Sequence, residues 1–294
     1  MDIREVFGRG RPVISLEFFL PKAPENLSAF IKSLEEFKVL NPDFITLTYG
    51  AGGSEHERTI KAAGIVKSET GFETVCHLTG IAHTRGEIKD ILKRLQELDI
   101  RQIVALRGDV PKKSPPLPGD FPHAEDLIGL IREIGGFQIA AAGYPETHPE
   151  AASPEADIAH LANKVRAGAD WIITQLFFDN TDYFNFVSRA RAAGVSRPIV
   201  PGLMPVTNFS QLKRFSSLCG AKIPKEMADD LEKIAGNSEA VIRYGVEWTS
   251  RQALELLKGG APGIHLFTLN KSHSTTEILR RIYKNAKMAS KRPA

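Results

Sequence analysis

A single parallel (β/α)8 barrel is the fold this sequence predicts, and three observations predict it. Eight short apolar runs recur along 294 residues, each ending in a small polar cluster. The runs are near-continuously apolar, as expected of parallel strands covered on both faces. The segments between them carry helical periodicity. Strand and helix alternating eight times fits one closed barrel of about 250 residues better than an open doubly wound sheet, which rarely uses so many evenly spaced units.

The strand candidates are residues 13–19, 43–49, 73–79, 101–106, 138–143, 171–177, 198–203 and 263–269. After the first, Leu27, Phe30, Ile31, Leu34 and Phe37 fall on one helical face. Ile88, Ile91, Leu92 and Leu95 repeat that spacing after the third, and Leu127, Leu130 and Ile131 after the fourth. Ser153-Pro154 starts a helix with a capping hydroxyl and a proline at the first helical position, and Gly168 suits its end. Two stretches break the rhythm. Residues 109–123 hold five prolines and predict a long loop over the barrel mouth. Residues 210–257 are too long for one crossover helix, and Ile223-Pro224 divides them, so two or three helices are expected before the last strand. No internal repeat or linker suggests a second domain; residues 1–294 are read as one, ending in a basic tail from about residue 284.

Hydrophobic residues at 42% and charged residues at 25% match a globular protein with a large core. The net charge of +3 is small, and the basic tail is read as a solvated end, so no nucleic-acid partner is expected. Cys76 and Cys219 form no CxxC, which argues against a disulfide framework or a zinc ribbon. No apolar stretch is long enough to span a bilayer and the N-terminus lacks a signal-peptide core, so a cytoplasmic location is expected, with no membrane partner.

In such barrels chemistry sits where strand C-termini meet the following loops. Alternation puts Glu17 on the side of Val13 and Ser15, facing the interior; a carboxylate beside aromatic residues is expected to have a raised pKa, as a general acid near pH 7 requires. Thr48-Tyr-Gly-Ala51-Gly-Gly-Ser reads either as a plain tight turn or as a loop offering backbone N–H groups to an anion, without the spacing of a Walker loop. Arg107-Gly108-Asp109 reads either as a structural ion pair or as a donor array and an acceptor for a planar heterocycle. Gln175 both donates and accepts, as a core amide or as a heterocycle contact. Gln211 and Phe215 follow the seventh strand and Lys271 the eighth. Glu146, Glu150, Tyr144 and His148 resemble a metal set, but His77 and His148 come from different strand ends without an obvious third ligand, and no metal is expected.

The chain resembles methylenetetrahydrofolate reductases. The motifs are Leu16-Glu-Phe-Phe, Thr48-Tyr-Gly-Ala, His77-Leu-Thr, Ala105-Leu-Arg-Gly-Asp, Tyr144-Pro-Glu-Thr-His-Pro-Glu, Ile173-Thr-Gln-Leu-Phe-Phe-Asp, Pro201-Gly-Leu-Met-Pro-Val and Phe267-Thr-Leu-Asn-Lys, specific in their joint order. The resemblance is to the bacterial-type catalytic barrel alone, so inhibition by S-adenosylmethionine is not expected. It implies a flavoenzyme of one-carbon metabolism and methionine biosynthesis that reduces 5,10-methylenetetrahydrofolate to 5-methyltetrahydrofolate. NADH or NADPH reduces FAD and leaves, and the folate then takes its place, a ping-pong sequence.

By motif, Glu17 is the acid that opens the imidazolidine ring, and Asp109 holds the pterin and tunes the flavin. Thr48 and Gln175 serve the exchanging substrates, with Gln211, Phe215 and Lys271 towards folate or nicotinamide. FAD is held by Thr48, Tyr49, Ala51, His77, Arg107, Gly108, Asp109, Ala124, Tyr144, His148, Ala151, Asp157, His160 and Lys164. A homo-oligomer is expected, and a protein redox partner stays open as donor. Leu20 replaces the usual proline after Glu-Phe-Phe, and Asn163 stands where several members carry arginine, leaving Lys164 more of the pyrophosphate charge. Two alternatives stay open: a flavin-free pterin-binding methyltransferase barrel, and a flavin-binding subunit of a larger redox complex.

Overall fold

The computed structural model describes residues 2–21, 23–48, 56–109 and 119–285. A short helix α1 (Ile3–Val6) precedes β1 (Val13–Phe18). Then come α2 (Leu27–Leu34), running on into a 3-10 turn over Glu35–Leu40, β2 (Phe44–Leu47), α3 (His56–Thr70), β3 (Thr74–Thr79), α4 (Arg85–Glu97) and β4 (Gln102–Leu106). They continue with α5 (Ala124–Ile134), β5 (Gln138–Gly143), α6 (Pro154–Ala167), β6 (Trp171–Thr174), α7 (Asn180–Ala192), β7 (Ile199–Val200) and β8 (Gly202–Leu203). Three helices, α8 (Phe209–Cys219), α9 (Lys225–Ile234) and α10 (Ser238–Lys258), separate β8 from β9 (Gly263–Phe267), and α11 (Ser272–Asn285) follows.

All eight predicted strands form, and every pairing is parallel. The seventh differs from expectation because Pro201, which has no N–H, cuts it into β7 and β8. That break closes the barrel: β7 pairs with β6, while β8 pairs with β9 on the other side. Pro201 still accepts from His265 N–H at 3.0 Å, and Gly202 N–H donates to Thr174 Oγ1 at 2.9 Å. A Cβ at Gly202 would strike the Thr174 carbonyl oxygen and the Phe267 ring, so only glycine lets the wall approach this closely.

Helix ends follow the predicted signals. Ser153 Oγ accepts from Ala156 N–H, Gly168 ends α6 at a φ of 125°, and Pro224 opens α9. Residues 119–123, with Pro122, run non-helical up to α5; most of the predicted loop, residues 110–118, lies outside the described residues, as does the tail beyond residue 285.

One apolar layer lies between sheet and helices. A second fills the barrel floor, where Val13, Phe44, Val75, Val104, Ala140, Trp171 and Val200 pack on Ile3 and Val6 of α1. Just below it, Asp43 accepts from Arg11 and from Ile14 N–H at 2.9 Å. Asp170 does the same with Arg132 and Ile139 N–H, both at 2.8 Å. Each carboxylate thus ties a strand start to an arginine and to the backbone of its neighbour, and both are buried. With the floor sealed by apolar side chains, the two-residue alternation lifts the next inward positions, Ser15, Glu17, Thr46 and His77, towards the other end.

Candidate active site

The C-terminal end of the barrel opens into a cavity of about 520 Å³, lined by residues from strand ends β1 and β3 to β6, from helices α5, α6 and α8, and from the segments around β8 and β9. Most of the predicted site residues meet there. Glu17, His77, Arg107, Gly108 and Asp109 stand on the wall with Ala124, Tyr144 and His148. Ala151, Asp157, His160, Lys164, Gln175 and Phe215 complete the predicted set on it. Thr48, Gln211 and Lys271 do not line it. Thr48 is half-buried, its N–H donating to Phe18 O at 3.0 Å, Gln211 sits in the first turn of α8, and Lys271 is exposed beside α11. Tyr49 and Ala51 lie outside the described residues.

On the β1 side the cavity ends in a knot of buried polar groups. Glu17 Oε2 lies 3.3 Å from His77 Nε2 and 3.3 Å from His265 Nε2, and Thr46 Oγ1 donates to it at 3.2 Å. His265 Nδ1 lies 2.8 Å from Ser15 Oγ. The His77 approach misses hydrogen-bond alignment, so its Nε2 stays without a hydrogen bond. This knot corrects the expected charge state of Glu17. Burial does push its carboxyl pKa up, as the aromatic neighbours suggested, but the two imidazoles outweigh it and hold the pKa well below the usual carboxylate range.

On the opposite wall, Gly108 turns the chain at a φ of 90°, and a Cβ there would meet Ile81 at 2.5 Å. The turn sets Arg107 and Asp109 on the wall, but Arg107 pairs with Glu150 rather than Asp109, Nη1 donating to Glu150 Oε2 at 2.6 Å. That bond raises the guanidinium pKa. Tyr144 packs edge-on against His148, ring centroids 4.5 Å apart. His148 N–H donates to Asp157 at 3.1 Å and its Nδ1 accepts from Glu150 N–H at 3.0 Å; burial lowers its pKa, favouring the neutral ring. Lys164 Nζ donates to Ala142 O at 2.9 Å, and burial lowers its pKa against the pull of Asp157 and Glu125. Gln175 spends its Oε1 on Leu176 N–H at 2.8 Å, which is the core-amide arrangement, though it also faces the cavity. Asn163 turns away to Arg166, and Leu20 packs on the outer core.

Sequence reasoning missed His265, Glu150 as the partner of Arg107, and the cluster of His123, Glu125 and His160, whose ligand-type atoms lie within 4.8 Å of one another. His265 was findable: Gly263, His265 and Phe267 share the parity of Val13, Ser15 and Glu17 in the β1–β9 register. The other two needed the fold, because their members lie on different βα units.

Fold and cavity define a (β/α)8-barrel protein with a deep cleft at its C-terminal mouth and a largely buried carboxylate–imidazole knot in its wall. Residues 2–283 match the family model described as methylenetetrahydrofolate reductase. A rice relative named probable methylenetetrahydrofolate reductase (NADH) is 38% identical, covering 95% of this chain and 50% of its own. A Pectobacterium carotovorum relative named 5,10-methylenetetrahydrofolate reductase is 36% identical, covering 92% of this chain and 90% of its own. The chain therefore spans about half the length of the rice relative and most of the bacterial one. Among solved structures, a Clostridium thermocellum protein that binds two copies of 5-methyl-5,6,7,8-tetrahydrofolic acid superposes with a TM-score of 0.67 at 15% identity, over 98% of this chain and all of that one, a likeness of fold. The chain belongs to the methylenetetrahydrofolate reductase family.

Proposed function

We propose that this chain reduces 5,10-methylenetetrahydrofolate to 5-methyltetrahydrofolate, using FAD reduced by NADH or NADPH in a ping-pong sequence, as a single catalytic domain. The observation that carries the reading is the meeting of Glu17, Arg107, Asp109, Tyr144, His148 and Lys164 around one cavity, from three separate βα units. The wall suits a flavin dinucleotide. Its volume falls in the range of small-molecule sites. Arg107 and the half-buried Lys164, whose Nζ donates to Ala142 O, bring positive charge for a pyrophosphate. Tyr144 and His148 offer ring faces and edges for planar groups.

When bound, the flavin supplies the hydride that the folate receives. The chain's own residues position and protonate. Glu17 stands at the closed end of the cavity, held ionised at rest by the two imidazoles, so it takes up and passes on the proton that the methylene-bridge nitrogen receives, and the apolar floor beneath it excludes water. Asp109 holds the pterin, and a carboxylate near the flavin disfavours added electron density on the ring. Arg107, His148 and Lys164 orient the dinucleotide.

Glu17→Gln is the test, because it separates the two half-reactions on one residue. Reoxidation of reduced protein by methylenetetrahydrofolate is expected to slow by at least about 10²–10⁴-fold, the usual worth of a general acid. Flavin reduction by NADH or NADPH, which needs no proton at the folate, is expected to change by under about tenfold. Rapid-mixing spectroscopy follows both. Purified protein without a flavin spectrum, or equal slowing of the two steps, would overturn the reading.

A further inference from the structure

At its solvent edge the cavity carries a second group of ligand-type side chains. His123 precedes α5 and Glu125 stands in the first turn of that helix, while His160 lies on the neighbouring helix α6. Their ligand-type atoms all fall within 4.8 Å of one another, and all three residues line the cavity. His160 Nδ1 is 3.2 Å from Glu125 Oε1, and the His123 and His160 ring centroids are 5.4 Å apart with their planes tilted by 32°. Side-chain exposures of 46% for His160 and 17% for Glu125 leave the group open to solvent on one side. We propose that His123, Glu125 and His160 bind a divalent transition-metal ion, zinc by the chemistry of the donors, with one coordination position open to the cavity. Such an ion needs neither flavin nor folate, so the site stands apart from the functional reading above.

The donor set selects the ion. Two imidazoles and one carboxylate suit zinc and its first-row neighbours, whereas magnesium and calcium prefer oxygen alone. Bonds of about 2.0–2.2 Å in a tetrahedral site put neighbouring donor atoms about 3.3–3.5 Å apart. The His160–Glu125 separation is already close to that spacing. His123 is exposed, so its ring turns through the remaining gap without displacing a core side chain. The backbone beneath the donors is held in place: His123 N–H donates to Asp126 at 2.9 Å, and Ser153 caps α6. Two features work against a cation, the positive end of α5 and Lys164 one turn along α6 from His160. Lys164 Nζ is directed to Ala142 O on β5, and a helix start carries only about half an elementary charge against the full charge of Glu125. An ion at this point ties the start of α5 to the middle of α6. With three protein ligands, water or an anion in the cavity completes its shell.

Zinc chloride alone, titrated by calorimetry into tag-free protein cleared of metal by a chelator, is expected to bind as a single ion per chain, and magnesium chloride to give no binding heat. His123→Ala and Glu125→Gln are each expected to weaken zinc at least about tenfold, since even groups that only support a metal's ligands are worth that much. Zinc is expected to raise the melting temperature of the wild type and to leave that of a His123→Ala, His160→Ala double variant unmoved. Glu125→Gln keeps the size of the side chain, and its metal-free melting curve shows that a lost ligand, not a lost fold, is being read. Cobalt in place of zinc is expected to give a visible band that shifts when azide is added, a small anion able to reach the open position. Zinc binding equally strong in all variants would place the ion on scattered surface histidines. Zinc giving no heat, or magnesium binding as tightly, would leave the three residues an ordinary ion pair with a neighbouring ring. Either result overturns the site, and a cobalt band unmoved by azide overturns its open position.

Discussion

The two ends of the barrel use the same ion-pair chemistry to opposite effect. At the floor, Arg132 meets Asp170 at 2.8 Å; at the mouth, Arg107 meets Glu150 at 2.6 Å. Side-chain exposure separates them: Asp170 is 5% exposed and Glu150 58%. Asp170 also accepts from Ile139 N–H at the start of β5, so its charge is built into the sheet. The Glu150 carboxylate meets Arg107 at the exposed cavity edge, and water or an anionic ligand can take its place. A carboxylate bonded into strand backbone stabilises the fold, whereas an exposed one at a cavity edge keeps a cation available.

Asp170→Ala should give the largest stability effect. It leaves a buried strand N–H without its acceptor and a guanidinium without its counter-ion, though Phe137 O and Gly168 O still accept from it, and breaking a buried pair typically costs about 3–5 kcal/mol. The lower end is expected, since Arg132 keeps some contact with water, and urea unfolding reads it. A loss no larger than for Glu150→Gln would erase the distinction between floor and mouth.

A smaller effect, sharper in sign, comes from the knot beside the cavity. Because the imidazoles hold the Glu17 pKa below its unfolded value, ionised Glu17 adds stability that is complete above the ordinary glutamate range. That stability fades as pH falls through the depressed folded value. The melting-temperature gap between wild type and Glu17→Gln should therefore stay constant from neutral pH to about pH 5 and close only in stronger acid. A gap that moves against Glu17 as pH rises from 5 to 8 would mean a raised pKa, making the knot an ordinary buried acid.

The smallest stability change is expected for Glu150→Gln, under about 1 kcal/mol for an exposed pair. Its consequence lies in binding: with Arg107 released, calorimetry should show FAD or ADP binding several-fold more tightly. Weaker binding would show that Glu150 holds ligand itself.

Much of this was legible because it is local. Apolar runs with two-residue and helical periods mark β1 to β9 and the helices between them, and Ser153, Gly168 and Pro224 mark helix ends, because each signal depends on residues a few positions apart. The clustering of Arg107, Asp109, Tyr144 and His148 followed from the rule that parallel strands present their C-termini together. Thr48, Gln211 and Lys271 were placed by motif, and the structure leaves them off the cavity wall.

By itself, the sequence determined the barrel and the end of it where the predicted site residues gather around a cavity. Only the tertiary structure decided how the barrel closes, through a proline break followed by a glycine without room for a Cβ. It also decided the charge on Glu17. Aromatic neighbours in sequence predicted a raised pKa, but His265, 248 residues away, and His77 on another strand reverse the sign. Periodicity is written into neighbouring residues, whereas a Coulomb interaction depends on distance in space, which parallel register sets between segments far apart in the chain.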